Sequence, residues 1–500
     1  MSVADRQISE WLFILTFLTC AYFYAGGGWN QNSQLDLTRA IVERHTLAID
    51  RYALNTGDVS RHGGHTYSNK SPGLSWMAAV PYAAIYALES HAGIDVSDAR
   101  VLSLNGYLCT LFVVAPFAAL IPALLYRAAR RRGFPPGWSA TVALAAALAT
   151  QSWPYSTFFV LHVPSGALML LALRTRRPGW AGFFAASAAA VNYLCAPAIL
   201  FFALLRRRDA WRFAAGAVPP LAALAVYQRV CFGAFTTITI AKEDPRFLAR
   251  GATMGVFGPP TPEALYGITL SPYRGLFFFA PVLIMALVGF VVWARLARHR
   301  FEASDGGELL AILAVTAVFF GFNLTFLNWE GGFGIGARYL LPLIPLWGLA
   351  MLRCRGWQKP LLAALAVVSF AINFTATAVD PQPSATIPRP LTQYLLPLLV
   401  DGRFSPNVPI TPPWSAQTFT GHTSVNRFTH DEPVVFFRHG PGSVDAEWAS
   451  FNLGEPFFGA GDARSLIPIA VILAIGAAAI LAKARQVERQ SRATMQRPSD

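Results

Sequence analysis

Apolar runs of about twenty residues recur along this chain, and most are closed by clusters of arginine. An α-helix of ~20 residues, rising ~1.5 Å per residue, spans a hydrocarbon core ~30 Å thick. The candidate spans are about 11–27, 73–90, 99–126, 138–152, 157–173, 178–205, 213–232, 275–296, 308–326, 339–353, 360–378 and 465–483. Only 13% of the 500 residues are charged against 54% apolar, too few charges to cover a soluble globule of this size. The chain therefore reads as an all-α polytopic membrane protein of about 11–13 transmembrane helices.

The formal charge of +13 does not point to nucleic acid, because the basic residues cluster at the ends of apolar runs rather than on one face. The clusters at 127–132, 174–177, 206–212, 295–300, 353–359 and 483–489 are expected to face the cytoplasm. That places the loop 28–74 and the segments near 233–272, 327–338 and 379–464 on the other, extracytoplasmic side of the membrane.

Two stretches resist simple crossing. Arginines flank 178–205 at both ends, so it is expected to enter and leave on one side as two half-helices meeting near Asn192-Tyr193-Leu194. Such a break is tolerated only inside protein or against a cavity, so its turn is expected near the functional site. If 73–90 and 99–126 both cross, the arginines at 127–132 emerge on the wrong side; either 73–90 is re-entrant or 99–126 is broken.

The five cysteines are dispersed without CxxC spacing, which indicates neither a disulfide framework nor a zinc site. Trp11 to Ala25 lacks a basic flank and a cleavage site and reads as a retained first helix. Residues 379–464 are rich in proline and carry strand-like runs such as Pro433 to Phe437, so a small α/β or β-rich cap is expected there. Residues 465–483 then form the last span, and 484–500 a basic, disordered cytoplasmic tail.

Within the first loop, Asn30 to Leu74 packs in Asp36, Arg39, Glu43, Asp50, Asp58, His65, Tyr67 and Lys70. So many ionisable groups in the first loop of a membrane protein read as a binding or catalytic surface, with a solvated loop as the plain alternative. Residues 34–45 have an apolar stripe of Leu35, Thr38, Ile41 and Val42 opposite Asp36, Arg39 and Glu43, which predicts an amphipathic helix on the membrane surface. Asp36 is spaced to pair with Arg39, or to take a proton from an acceptor hydroxyl that attacks an anomeric carbon; Asp50 and Asp58 are rival carboxylates.

Lys70, in Tyr67-Ser68-Asn69-Lys70-Ser71-Pro72, stands at the mouth of the next apolar run, placed either to meet a lipid phosphate or to snorkel. Arg338 and Tyr339 follow the glycines of Asn328 to Gly336, which read as a flexible turn; no strand precedes them, so a nucleotide loop is not indicated. Arg274 precedes another apolar run on the same side, and His162 falls near the outer end of a span.

In their order, these motifs resemble the GT-C superfamily of membrane glycosyltransferases, most of all the bacterial group of aminoarabinose lipid A transferases and protein O-mannosyltransferases. The likeness covers roughly 1–380: one helix, a long external loop with a surface helix, a lysine-proline motif and a late arginine-tyrosine motif. It implies transfer of a sugar from a polyprenyl-phosphate carrier to a lipid, glycan or protein of the envelope, with no cofactor. Matching Arg39 to the family's helix arginine puts Lys70-Ser71-Pro72 on the lysine-proline motif but Asn30-Gln31 on the usual acidic pair. The base then falls to Asp36 or Asp50, and the donor phosphate to Lys70, Arg338 and Arg274. A transporter or flippase of lipid-linked sugars is the alternative, and it needs a polar route across the bilayer.

Overall fold

The computed structural model describes residues 2–237, 239–242, 251–299, 303–385, 387–402, 450–459 and 462–495. Five helices among them are long and apolar enough to cross a membrane: Arg100–Arg131, Arg207–Phe232, Asp305–Thr325, Gln358–Val379 and Ala463–Gln490. The chain is an all-α, multi-pass membrane protein. Its remaining apolar segments form shorter helices, several broken by proline or by 3-10 turns, so the number of full-length spans falls short of the apolar runs.

Helix α1 (Val3–Tyr22) opens with a capping box in which Ser2 and Asp5 bond each other's backbone amides. It runs antiparallel to a long helix made of α4 (Ala99–Cys109), a π turn at Thr110–Val114 and α5 (Ala115–Arg131). At one end the Tyr107 hydroxyl donates to Ala21 O at 2.9 Å; at the other Arg130 pairs with Asp5 at 2.7 Å. The two ends of the bundle are thereby defined.

The arginine clusters gather at the second end. Arg132, after α5, and Arg174, closing α7 (His162–Arg174), both grip Glu308 of α14 (Ala303–Thr325), the former at 2.6 Å. Arg353, just past α15 (Ile344–Met351), pairs with Asp305 at 2.6 Å. Helix α6 (Pro136–Leu148) joins this end through Trp138, whose Nε1 donates to Leu352 O at 2.9 Å. Removing Glu308 leaves two largely buried guanidiniums facing each other, so Glu308→Ala is expected to cost about 3 kcal/mol, read as a lowered Tm in detergent. An unchanged Tm would mean that headgroups or water already neutralise this girdle.

The stretch 178–205 folds as the doubled arginines require. Helix α8 (Pro178–Val191) stops at Asn192, a 3-10 turn follows, and α9 (Ala196–Leu205) returns. Arg206, at the end of α9, donates to the carbonyls of Ala172, Leu173 and Thr175 beside the start of α8, so both ends lie on the girdle side. The turn reaches the opposite end, where the Tyr193 amide donates to Ser71 Oγ at 3.1 Å. Helix α10 (Ala210–Phe232) packs on α8 with backbones in contact: a Cβ at Gly182 would lie 1.9 Å from Phe213 O. Glycine alone permits that approach.

The parity problem is resolved by α3 (Gly73–His91), which does not cross. It starts against Ala190 and Val191 at the tip of the broken helix, and it ends where Asn105, half a turn from Tyr107, donates to Glu89 at 3.1 Å. Both contacts belong to the end opposite the girdle. With both its ends there, α3 lies along that end of the bundle, exposing Val80 and Leu88.

Beyond α11 (Pro262–Thr269), α12 (Leu276–Phe279), α13 (Ile284–His299), α16 (Gln358–Val379), α17 (Leu396–Val400) and α18 (Glu455–Phe458), the described residues end in α19 (Ile467–Met495). This last helix passes the expected limit at 483 and continues to 495, with Ala484 and Val487 buried, so the expectation of disorder from 484 fails as far as 495. Composition alone missed that these residues have a helix to pack on.

Within the expected cap, 391–400 is helical, and β4 (Phe451–Asn452) pairs antiparallel with β1 (Phe23–Tyr24), the exit of α1. The strand expected at Pro433 to Phe437 lies outside the described residues. The five cysteines are free and buried.

Candidate active site

At the end opposite the arginine girdle, α2 (Trp29–Arg44) starts five residues before the predicted helix and is buried along most of its length, so 34–45 is not a surface helix. Periodicity reports which residues are polar, not whether partners await them. Here Arg39 Nε donates to Glu43 at 2.8 Å, the Tyr52 and Tyr82 hydroxyls donate to Glu43 at 2.8 and 2.6 Å, and the guanidinium lies 4.3 Å over the Tyr52 ring. Burial opposes the Arg39 charge, but Glu43 and Asp36 more than offset it. Asp36 is 2% exposed and accepts from Asn55 Nδ2 at 3.3 Å.

From α2 the chain returns through a hairpin of β2 (Val59–His62) and β3 (His65–Ser68). Asp50 and His65 sit half-exposed by its turn, 2.8 Å apart, and the Thr66 amide donates to Asp50 at 2.6 Å. Burial works against the Asp50 charge, yet these bonds outweigh it and hold the carboxyl below its usual range. Tyr67 packs its ring on Phe232 at 5.3 Å. The other end of the hairpin carries Asp58 and Lys70, paired at 2.9 Å and each less than one-fifth exposed. Ser33 of α2 fixes that end, donating to Asp58 O at 2.6 Å and meeting Ser68 Oγ at 2.7 Å.

Lys70 belongs to a cluster drawn from distant parts of the chain. His162, at the start of α7, lies near enough to Lys70 and Arg338 for both charges to act on it, and Asp58 acts in turn on Arg338. The rings of Tyr155 and Tyr339 stand nearly perpendicular to that of His162, each centroid 6.0 Å away. Arg338 Nη2 donates to the Tyr339 hydroxyl at 3.3 Å, while its Nε has no partner among the described residues. Asp58, Lys70, Arg338 and Tyr339 are neither buried nor exposed, which leaves this cluster an open flank.

The glycines before Arg338 form a packed loop, not a slack one. A Cβ on Gly331 would lie 2.8 Å from Arg338 Nε, and one on Gly334 2.2 Å from the Tyr155 hydroxyl, and the backbone there has φ of +73° and +144°. Side chains at these positions would push Arg338 and Tyr155 apart. Arg274, 1% exposed, clamps the loop by donating to Gly332 O at 2.6 Å and to Gly334 O, with its guanidinium 4.3 Å over Tyr273. Both terminal nitrogens thus bond the loop that leads to Arg338, and Nε has no partner among the described residues.

A strap from Asp380 to Ala385 crosses this loop. Pro383 O accepts from the Gly334 amide at 3.1 Å, Ala385 O accepts from the Tyr273 hydroxyl at 2.6 Å, and Gln382 Oε1 accepts from Gln31. Asn30, its neighbour, accepts from Gln34 Nε2 at 2.7 Å. At the positions where the resemblance would put an acidic pair, neutral amides hold the strap and the first turn of α2.

No family model matches this chain, and no curated protein matches it. A solved structure does. It is the crystal structure of ArnT from Cupriavidus metallidurans bound to undecaprenyl phosphate, matched with a TM-score of 0.41 at 15% identity. The match covers 69% of this chain, which spans 59% of the ArnT chain.

Of the residues singled out in the sequence, the fold brings Lys70, Asp58, Arg338, Tyr339 and His162 together, with Arg274 behind them. It leaves Asp36 and Arg39 sealed in α2, and Asp50, His65 and Tyr67 along the hairpin toward its turn. Sequence reasoning missed Tyr155, the Gln382 strap and the Ser33 anchor. Each is a common residue in an ordinary setting, and no spacing marks it.

Proposed function

We propose that this protein is a glycosyltransferase that moves a sugar from a polyprenyl-phosphate donor to an envelope lipid, glycan or protein on the extracytoplasmic side. The observation that carries this reading is that Lys70 and Arg338, from elements far apart in sequence, share the neighbours Asp58 and His162 on one half-open flank at the end opposite the arginine girdle. Two cations at the mouth of a bundle suit a lipid phosphate, which lies at headgroup depth.

In the reaction, an acceptor hydroxyl forms a bond to the anomeric carbon as the bond from that carbon to the phosphate oxygen breaks. The electron pair stays on the departing phosphate, whose charge grows from one toward two, so Lys70 and Arg338 stabilise the transition state more than the bound donor. Asp58 takes the hydroxyl proton. It is preferred to Asp36, which is 2% exposed and closed off by Asn55, and to Asp50, which is occupied near the hairpin turn. In the resting site Asp58 holds Lys70; when phosphate takes Lys70, the freed carboxylate can act as base.

The test is mass spectrometry of envelope lipids and glycans from cells with and without the protein. A sugar-modified species should disappear on deletion while the lipid-linked donor accumulates outside. An unchanged envelope would contradict the reading, and a donor stranded on the inner leaflet would point to a transporter.

A further inference from the structure

His162 is 2% exposed, and neither of its ring nitrogens has a hydrogen-bond partner among the described residues. Buried polar groups are almost always paired, so an imidazole left bare calls for an explanation. Its surroundings narrow the choice. The rings of Tyr155 and Tyr339 stand 6.0 Å away, and the nearby charges that act on it are the cations Lys70 and Arg338.

The carboxylate of this cluster, Asp58, is engaged by Lys70 at 2.9 Å and no hydrogen-bond partner is set against the ring among the described residues, so the neutral imidazole is the form that fits the site. A neutral ring offers one N–H donor and one bare nitrogen acceptor. An ionised phosphate only accepts, so it can use half of that offer. A sugar hydroxyl both donates and accepts, and it matches the ring at either nitrogen.

We propose that His162 is a specificity-determining residue that hydrogen-bonds a hydroxyl of the donor's sugar, immediately beside the phosphate held by Lys70 and Arg338. The inference rests on the phosphate reading of the previous section. It places the sugar against Tyr155 and Tyr339, with Tyr339, half-buried, at its entrance.

The test compares two probes on the full-length protein: sugar-free polyprenyl phosphate, and the tightest-binding of the polyprenyl-phosphate glucose, mannose and galactose donors. His162→Phe fills the site without hydrogen bonds, and His162→Asn is too short to reach. Both variants are expected to lose about tenfold in affinity for the sugar-bearing probe, with binding of sugar-free polyprenyl phosphate unchanged. His162→Gln, which keeps a donor and an acceptor, should recover part of the loss.

Equal losses for both probes would overturn the inference, since His162 would then serve the phosphate or the fold. No loss for either would overturn it too, showing that water alone satisfies the ring, as would a wild type that binds no hexose donor more tightly than the bare lipid. A wild type blind to sugar-free polyprenyl phosphate would instead bring down the phosphate reading, and the proposal with it.

Discussion

Lys70→Ala and Arg338→Ala are each expected to lower sugar transfer by about 10²–10³-fold while leaving protein levels unchanged, the usual worth of one donor aimed at charge that develops in a transition state. The loss should fall mainly on kcat, because the departing phosphate carries more charge than the bound donor. Arg338→Lys should recover only part of it, since an ammonium cannot supply the planar fork of a guanidinium. Near-normal turnover in both alanine variants would make these side chains interface anchors and not ligands.

Asp58→Asn carries the second large effect. It removes the proposed base with little change of shape, and transfer should fall by about 10²–10⁴-fold. Donor binding should hold or tighten, because the same change frees Lys70 from its 2.9 Å partner. Asp36→Asn should do much less to turnover and more to stability, as its carboxylate is sealed beside Asn55 and Arg39. A reversed pattern, with Asp36 essential and Asp58 dispensable, would mean that α2 opens in the working enzyme.

Charge placement proved the most legible part of the sequence. Arginines on both sides of 178–205 leave no other topology for a segment that cannot keep arginine in the bilayer core, and the chain does break at Asn192. Lys70 and Arg338 stood out for a related reason: a cation beside an apolar run has to lie near the membrane surface, and that depth is shared by everything that binds a headgroup.

What could not be read was partnership. The polar face of α2 looked destined for water because nothing in its spacing reveals that Tyr52 and Tyr82, from separate elements, will close over Glu43. The same gap hid that Arg274 donates to the carbonyls of Gly332 and Gly334. The glycines themselves suggested slack. In the fold they are what lets Tyr155 and Arg338 press against the backbone. The sequence favoured Asp36 and Asp50 over Asp58 as base, and only tertiary placement separates the closed Asp36 from the Asp58 that touches Lys70.

The most direct test of the site is an experimental structure of the protein with polyprenyl phosphate bound. The expected result is a lipid phosphate with oxygens in hydrogen-bond distance of both Lys70 Nζ and the Arg338 guanidinium, and with Lys70 drawn off Asp58. A phosphate bound elsewhere, with the Lys70–Asp58 pair intact, would contradict it.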